Sequence, residues 1–347
     1  MKNIYRIIVI IGLIILLISC AKGQDKLTDL EFDREDVTLS IEVTTGALEN
    51  TGGNGWVEGV KETKDVTFKT NPRSVAIFSY DALDILDYIG LEKTSIQYLG
   101  LVKGSSIPTY LSQYMGNSYE NVGTLFMPDW DKLELFMPDL IILGTRSSGA
   151  YDRLRTQFPS ADILDLTITD GFYMEGFERN INYLKALFPS IALEIEETYQ
   201  DILIKMDTIK NLTSNKNAMI VMINGSVYST FGQISRYSVL YNQFGFSVSD
   251  QEMTTANRHG REIDHEYVYS INPQFLFLLD RGAAIGSSGA IGDFLQNNFI
   301  QQTLAYQQNH VYTLNASAWY IAFGGFHSTY QMIDDLDAFV LEFSNLS

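Results

Sequence analysis

A single cysteine, Cys20, in 347 residues leaves the chain no disulfide to make within itself. Histidine is nearly as scarce. His259, His265, His310 and His327 are the four present, and no HExxH, histidine-rich loop or cysteine pair joins them, so the sequence supports no direct zinc or manganese site. Positive charge is also short: 24 Lys and Arg face 42 Asp and Glu, a net charge of −18. Duplex binding needs a basic footprint, so nucleic acid is excluded as a partner. No GxGxxG, GxxxxGK[ST] or GxSxG is found, so the chain carries no motif of a nucleotide site or a nucleophile elbow. Any anion must be held by a few bases gathered locally.

What is present starts with "MKNIYRIIVIIGLIILLISC". Lys2 and Arg6 precede an apolar run over 7–18, too short to span a bilayer comfortably and right for a signal-peptide core. The run ends at Cys20 in a stretch that resembles a bacterial lipobox. That predicts cleavage after residue 19, acylation of Cys20, and a bacterial lipoprotein anchored outside the cytoplasm. Residues 20–70 read as a polar tether followed by a strand in "VTLSIEV" and a loop in "GALENTGGNGW".

Apolar runs at 75–78, 140–143, 219–223 and 275–279 have strand length without alternation, as expected of strands buried on both faces. Helical patterns lie between them, such as "YDALDILDYIG" with Gly90 at its end. Parallel α/β layers follow. The size fits two units, an N-terminal lobe over 71–185 and a C-terminal lobe over 214–347. Between them, over 186–213, Ile191, Ile195, Tyr199, Ile202, Met206 and Ile209 mark one helical stripe opened by Pro189.

The two halves echo each other. "DKLELFMPDLIILGTR" (131–146) and "EYVYSINPQFLFLLDR" (266–281) each run acid, proline seven residues on, apolar strand, then arginine eight residues after the proline. Helix, proline and strand are ordinary α/β grammar, but the matched acid and arginine are not required by it. Ligands of such sheets bind beyond the carboxyl ends of strands. Arg146 and Arg281 sit there, and Arg236 follows the first strand of the second half. Each could be a surface group paired with a nearby acid, since Asp152 and Asp280 are at hand. Three at comparable loop positions favour a shared anion site, to which planar, always-charged guanidinium is suited. His259 in "TTANRHGREI", and Trp319 and Tyr320 in "SAWYIAFGG", flank these loops as ligand candidates or as surface and core residues. Tyr80 follows the first strand.

Across roughly 68–347 these segments, with "NPRSVAIFSYDALDILDYIGL", "SRYSVLYNQFGF" and "RHGREIDHEYVYSINPQFLFLLDRGAAIG", resemble the siderophore-binding lipoproteins of ABC importers, in their ferric catecholate branch. The resemblance implies an α/β fold of two Rossmann-like lobes joined by a single long interdomain helix, with the ligand cleft between the lobes. It implies a binding protein rather than an enzyme, a monomer that carries iron(III) only as a siderophore complex and has no cofactor of its own. Arg146, Arg236 and Arg281, with Tyr80 and Trp319, would line the cleft. His259 and Tyr320 would complete the iron's coordination when the siderophore is tetradentate. Asp131 and Glu266 would dock onto the membrane permease, although glutamate is usual at the first place. Haem, a ferric hydroxamate or a corrinoid are the alternative chelates, and a surface-anchored α/β enzyme is the alternative of another class.

Overall fold

The computed structural model describes residues 26–50, 55–57, 59–104, 106–253, 259–287 and 289–344. Cys20 and the apolar segment before it lie outside them, as does Arg258. Among the described residues no helix is long and apolar enough to cross a membrane.

The described chain opens on β1 (Asp36–Thr45), followed by β2 (Leu48–Glu49), β3 (Trp56–Val57) and β4 (Val60–Lys69). The expected strand and the loop after it belong here to a long hairpin. β1 and β4 pair antiparallel from Asp36↔Lys69 to Thr45↔Val60, and β2 pairs with β3 at the tip. β4 escaped the sequence reading because its side chains are mostly exposed, so only Val66 and Phe68 mark its inner face. The hairpin is tied down: Lys69 N donates to Asp162 Oδ2 (2.8 Å) and Tyr183 Oη donates to the Ser40 carbonyl (2.6 Å).

The N-terminal lobe is a parallel sheet of β5 (Ser74–Ile77), β6 (Tyr98–Val102), β7 (Glu120–Gly123), β8 (Leu140–Leu143) and β9 (Asp162–Asp165), in the order β7-β6-β5-β8-β9. All of β8 is buried, as a strand covered on both faces must be. The chain leaves β5 toward one side and β8 toward the other, so the loops after these two strands open a crevice at the switch point. The C-terminal lobe has β10 (Asn217–Asn224), β11 (Val227–Thr230), β12 (Ser247–Val248), β13 (Arg261–Ile263), β14 (Phe275–Asp280) and β15 (Val311–Thr313), in the order β13-β11-β10-β14-β15 with β12 also on β10. β10, β14 and β15 run parallel, while β11 and β13 add an antiparallel edge.

Helix α1 (Tyr80–Ile89) follows β5 and ends on Gly90, whose φ of 107° suits glycine. The echo seen in sequence is a repeated structural unit. α2 (Trp130–Phe136) and α3 (His265–Ile271) each start on an aspartate cap, Asp129 or Asp264, that accepts from a first-turn amide. Each ends on a left-handed residue, Met137 (φ 50°) or Asn272 (φ 51°), placed directly before the proline. Leu133 and Val268, matched in the echo, are both fully buried.

The lobes are joined by the single helix Ala192–Thr213, with Pro189 opening a 3₁₀ turn just before it. Its 22 residues make a rod of about 33 Å, and Ile195, Tyr199, Ile202, Met206 and Ile209 form its buried stripe. The helix Phe326–Ser344 then returns from the C-terminal lobe and packs on both the linking helix and α1. Asp84 of α1, wholly buried, accepts from His327 N (2.6 Å) and Ser328 N (3.0 Å) at the start of that returning helix. Gly325 is needed there, since a Cβ would lie 2.2 Å from Asp84 Cγ.

Candidate functional site

Between the lobes lies a cleft of about 840 Å³. Its N-terminal wall comes from the loops after β5 and β8, and its C-terminal wall from the ends of β10 and β14 and the turn at Tyr320. Arg146, Arg236, Arg281, Tyr80, His259 and Tyr320, all picked out in the sequence, line this one cavity.

Tyr320 is the hub. Its carbonyl accepts from Arg146 Nη2 (2.9 Å) and Arg236 Nη2 (3.2 Å), and its hydroxyl accepts from Arg281 Nε (2.9 Å). The guanidinium carbons of Arg146, Arg236 and Arg281 stand 5.3, 4.7 and 5.7 Å from the centre of its ring. Asn224, at the end of β10, accepts a second bond from Arg281 Nη1 (2.9 Å). Burial raises the Tyr320 phenol, but the Arg281 hydrogen bond and the charges of Arg281, Arg236 and Arg146 outweigh it, and the pKa is lowered overall.

The acids offered as ordinary partners are engaged elsewhere. Asp280 caps the turn after β14, accepting from Ala283 N (3.0 Å) and Ala290 N (2.8 Å). Asp152 accepts from Gly46 N (2.7 Å). Other arginines do pair with acids: Arg34 with Asp139, Arg153 with Glu49, Arg179 with Glu42 and Arg261 with Asp250. Among the described residues no ion pair engages Arg236 or Arg281. Three cations around one ring repel one another, and an anion entering between them relieves that repulsion.

Tyr80 is buried, its hydroxyl donating to the Val102 carbonyl (3.2 Å), and burial pushes its phenol up to about 12. Its neighbour Asp81 also lines the cleft. Burial raises that carboxyl to about 6, tempered by the Ser79 hydroxyl and the Arg146 charge. His259 is exposed at the rim. It precedes Gly260, which has a φ of 74° and whose Cβ would lie 2.7 Å from the Thr230 carbonyl.

Trp319 is a correction. Expected to line the cleft, it is wholly buried, and its Nε1 donates to Asp335 Oδ2 (2.8 Å). The wide turn Ser317–Ile321 sends the two adjacent aromatic rings to different surroundings, Trp319 into the core and Tyr320 to the cleft. Asp131 and Glu266 are exposed in the first turns of α2 and α3, outside the cleft lining. The sequence reading missed Asn224, Asp81, Trp56 and Phe126. Of these, Asn224 alone had a legible cue, standing at the carboxyl end of a buried strand.

A family model described as periplasmic binding protein matches residues 109–318. Among curated proteins, the chain is similar to the petrobactin-binding protein YclQ of Bacillus subtilis, 32% identical over 272 residues, covering 77% of this chain and 82% of that protein. The ferric-anguibactin-binding protein FatB of Vibrio anguillarum is 26% identical over 270 residues, covering 76% and 81%. Among solved structures, the periplasmic catecholate-siderophore binding protein VctP of Vibrio cholerae has a TM-score of 0.73 at 28% identity, covering 85% of this chain and 99% of that chain.

Proposed function

The chain belongs to the periplasmic binding protein family, and from that premise we propose that it captures an anionic ferric catecholate siderophore and delivers it to an ABC permease. The convergence of Arg146, Arg236 and Arg281 on Tyr320 carries this reading. Fully deprotonated tris-catecholate iron(III) is trianionic, so three guanidinium groups balance it charge for charge. At an effective dielectric near 20, each close pair contributes about 4 kcal/mol before desolvation is subtracted. The relatives whose names specify a catecholate siderophore, petrobactin or ferric anguibactin support the ligand class. A hydroxamate complex is neutral or weakly charged and offers the cleft arginines little charge to bind.

The protein performs no chemistry on its ligand, has no cofactor of its own, and takes iron(III) as cargo inside the chelate. Phenolate is a hard oxygen ligand suited to iron(III), and imidazole an acceptable partner, so Tyr320 and His259 complete the coordination when the siderophore supplies two catechols. Asp131 and Glu266 are the permease-docking acids. Acylated Cys20 anchors the chain, as a monomer, to a bacterial membrane on its periplasmic or cell-surface side.

Calorimetric titration with ferric tris- and bis-catecholates, ferric hydroxamate and haem tests the ligand class. Catecholate binding should weaken by about tenfold or more in each of Arg146→Ala, Arg236→Ala and Arg281→Ala, the loss of about 1.4 kcal/mol or more per charged contact. Tight binding of hydroxamate or haem alone, or unchanged catecholate affinity in all three variants, overturns it.

A further inference from the structure

We propose that Trp56, held over the cleft by the tip of the N-terminal hairpin, is a specificity-determining ligand contact: with Phe126 it forms the apolar wall on which an aromatic ring of the chelate stacks. This rests on the catecholate reading above and adds to it a second kind of recognition. The arginines address the charged oxygen edge of a catecholate. The ring faces of the same group are apolar and need a different partner.

The hairpin tip is positioned for that part. Gly46 N donates to Asp152 Oδ2 (2.7 Å), and Arg153 pairs with Glu49 (2.6 Å) while its guanidinium lies 3.8 Å from the centre of the Trp130 ring. Trp56 Nε1 donates to the Phe126 carbonyl (2.9 Å). On its other flank Trp56 rests directly on Gly149, where a Cβ would lie 2.4 Å from the Trp56 Cβ. Any side chain at 149 unseats the indole. Gly55, with a φ of 105°, supplies the backbone conformation just before it.

The indole's polar atom is therefore spent on the protein, and its anchorage is fixed, yet Trp56 lines the cleft alongside Arg146. Phe126, next to it, keeps 44% of its surface exposed and lines the same cavity. Two aromatic side chains, pre-positioned at the wall of a cationic cavity, fit a ligand with aromatic faces and an anionic edge. Offset or edge-on ring contacts add to what burial alone contributes.

Calorimetric titration with an iron(III) tris(2,3-dihydroxybenzoyl) chelate separates contact from scaffolding. Trp56→Ala should weaken binding by about tenfold, while Trp56→Phe, which keeps a ring, loses less than about threefold. Glu49→Ala, which cuts one anchor and leaves the indole in place, should lose less than Trp56→Ala. Amide exchange across the hairpin checks that the tip stays docked. Unchanged affinity in Trp56→Ala, with the wild type binding, overturns this proposal alone. Equal losses in Trp56→Ala and Glu49→Ala, with no rescue by phenylalanine, also overturn it, because they make Trp56 a clasp and not a contact. Absence of wild-type binding overturns the catecholate reading, and this one with it.

Discussion

Tyr320 uses two atoms for two purposes. Its carbonyl gathers Arg146 and Arg236, and its hydroxyl orients Arg281. Tyr320→Phe keeps the first and removes the second. A hexadentate tris-catecholate should then lose only a few-fold in affinity, about 1 kcal/mol for one hydrogen bond. If the phenolate completes the metal's coordination as proposed, a bis-catecholate should lose about a hundredfold or more, together with the shift in its visible charge-transfer band on binding. That loss is about 2.7 kcal/mol, at the upper range for a charged contact. Equal small losses for both chelates would assign Tyr320 to positioning alone. At this scale the arginines were legible because a repeated frame put Arg146 and Arg281 at matching strand ends. Trp319 was misread because sequence order does not say which way a wide helical turn sends each of two neighbouring rings. Trp56 was illegible because it sits in a glycine-rich stretch with no periodicity of its own.

The repeated element is the cap, short helix, left-handed residue, proline, buried strand and arginine of α2–β8 and α3–β14. Its helix, proline, strand and arginine were readable from spacing, its aspartate cap and left-handed residue were not, and the strands buried on both faces were readable from their unbroken apolar runs. The linking helix was readable from its stripe. β4 and the short edge strands were not, because exposed or half-buried strands mix polar and apolar residues without a firm period. The unit also gives Asp131 and Glu266 the same exposed station in both lobes. Glu266→Lys should leave chelate affinity unchanged, since the residue does not line the cleft, and should cut ligand-dependent ATPase stimulation of the reconstituted permease by about tenfold. Asp131→Lys should act in the same direction and more weakly, its native side chain being shorter. Full stimulation in both variants would remove the docking role.

At the scale of the molecule, the returning helix packs beside the linking helix and is stitched to α1 by more than apolar contact. His327 Nε2 meets Asp87 Oδ2 (3.2 Å), its ring packs against Tyr88 and Tyr110, and Asp84 receives the backbone amides beside it. The Asp87 hydrogen bond raises the His327 pKa against the opposing pull of burial, and Asp84 and Asp87 add their charges. Burial raises the Asp84 carboxyl to about 6 although three hydrogen bonds, from Tyr110, Ser328 and His327, and the His327 charge oppose it. Both folded-state pKa values lie above their unfolded values, so the native state holds more protons. The stabilisation from His327 is complete below about pH 6.5 and lost as pH rises through its raised value. That from Asp84 is complete below about 3.8 and lost through about 6. Chemical denaturation between pH 5 and 8 should show stability falling with pH. His327→Gln should flatten the upper part of that slope by no more than about 1 kcal/mol, because the pair is partly solvated. An unchanged slope would detach His327 from the effect.

Asp84 and Ser328 are 244 positions apart. Until residues 325–328 arrive to cover it, Asp84 on α1 lacks both the segment that packs against it and the two amides it accepts from in the native state. The full set of partners of Asp84 thus waits on a contact that closes a loop of 244 positions, a late and entropically costly one to form.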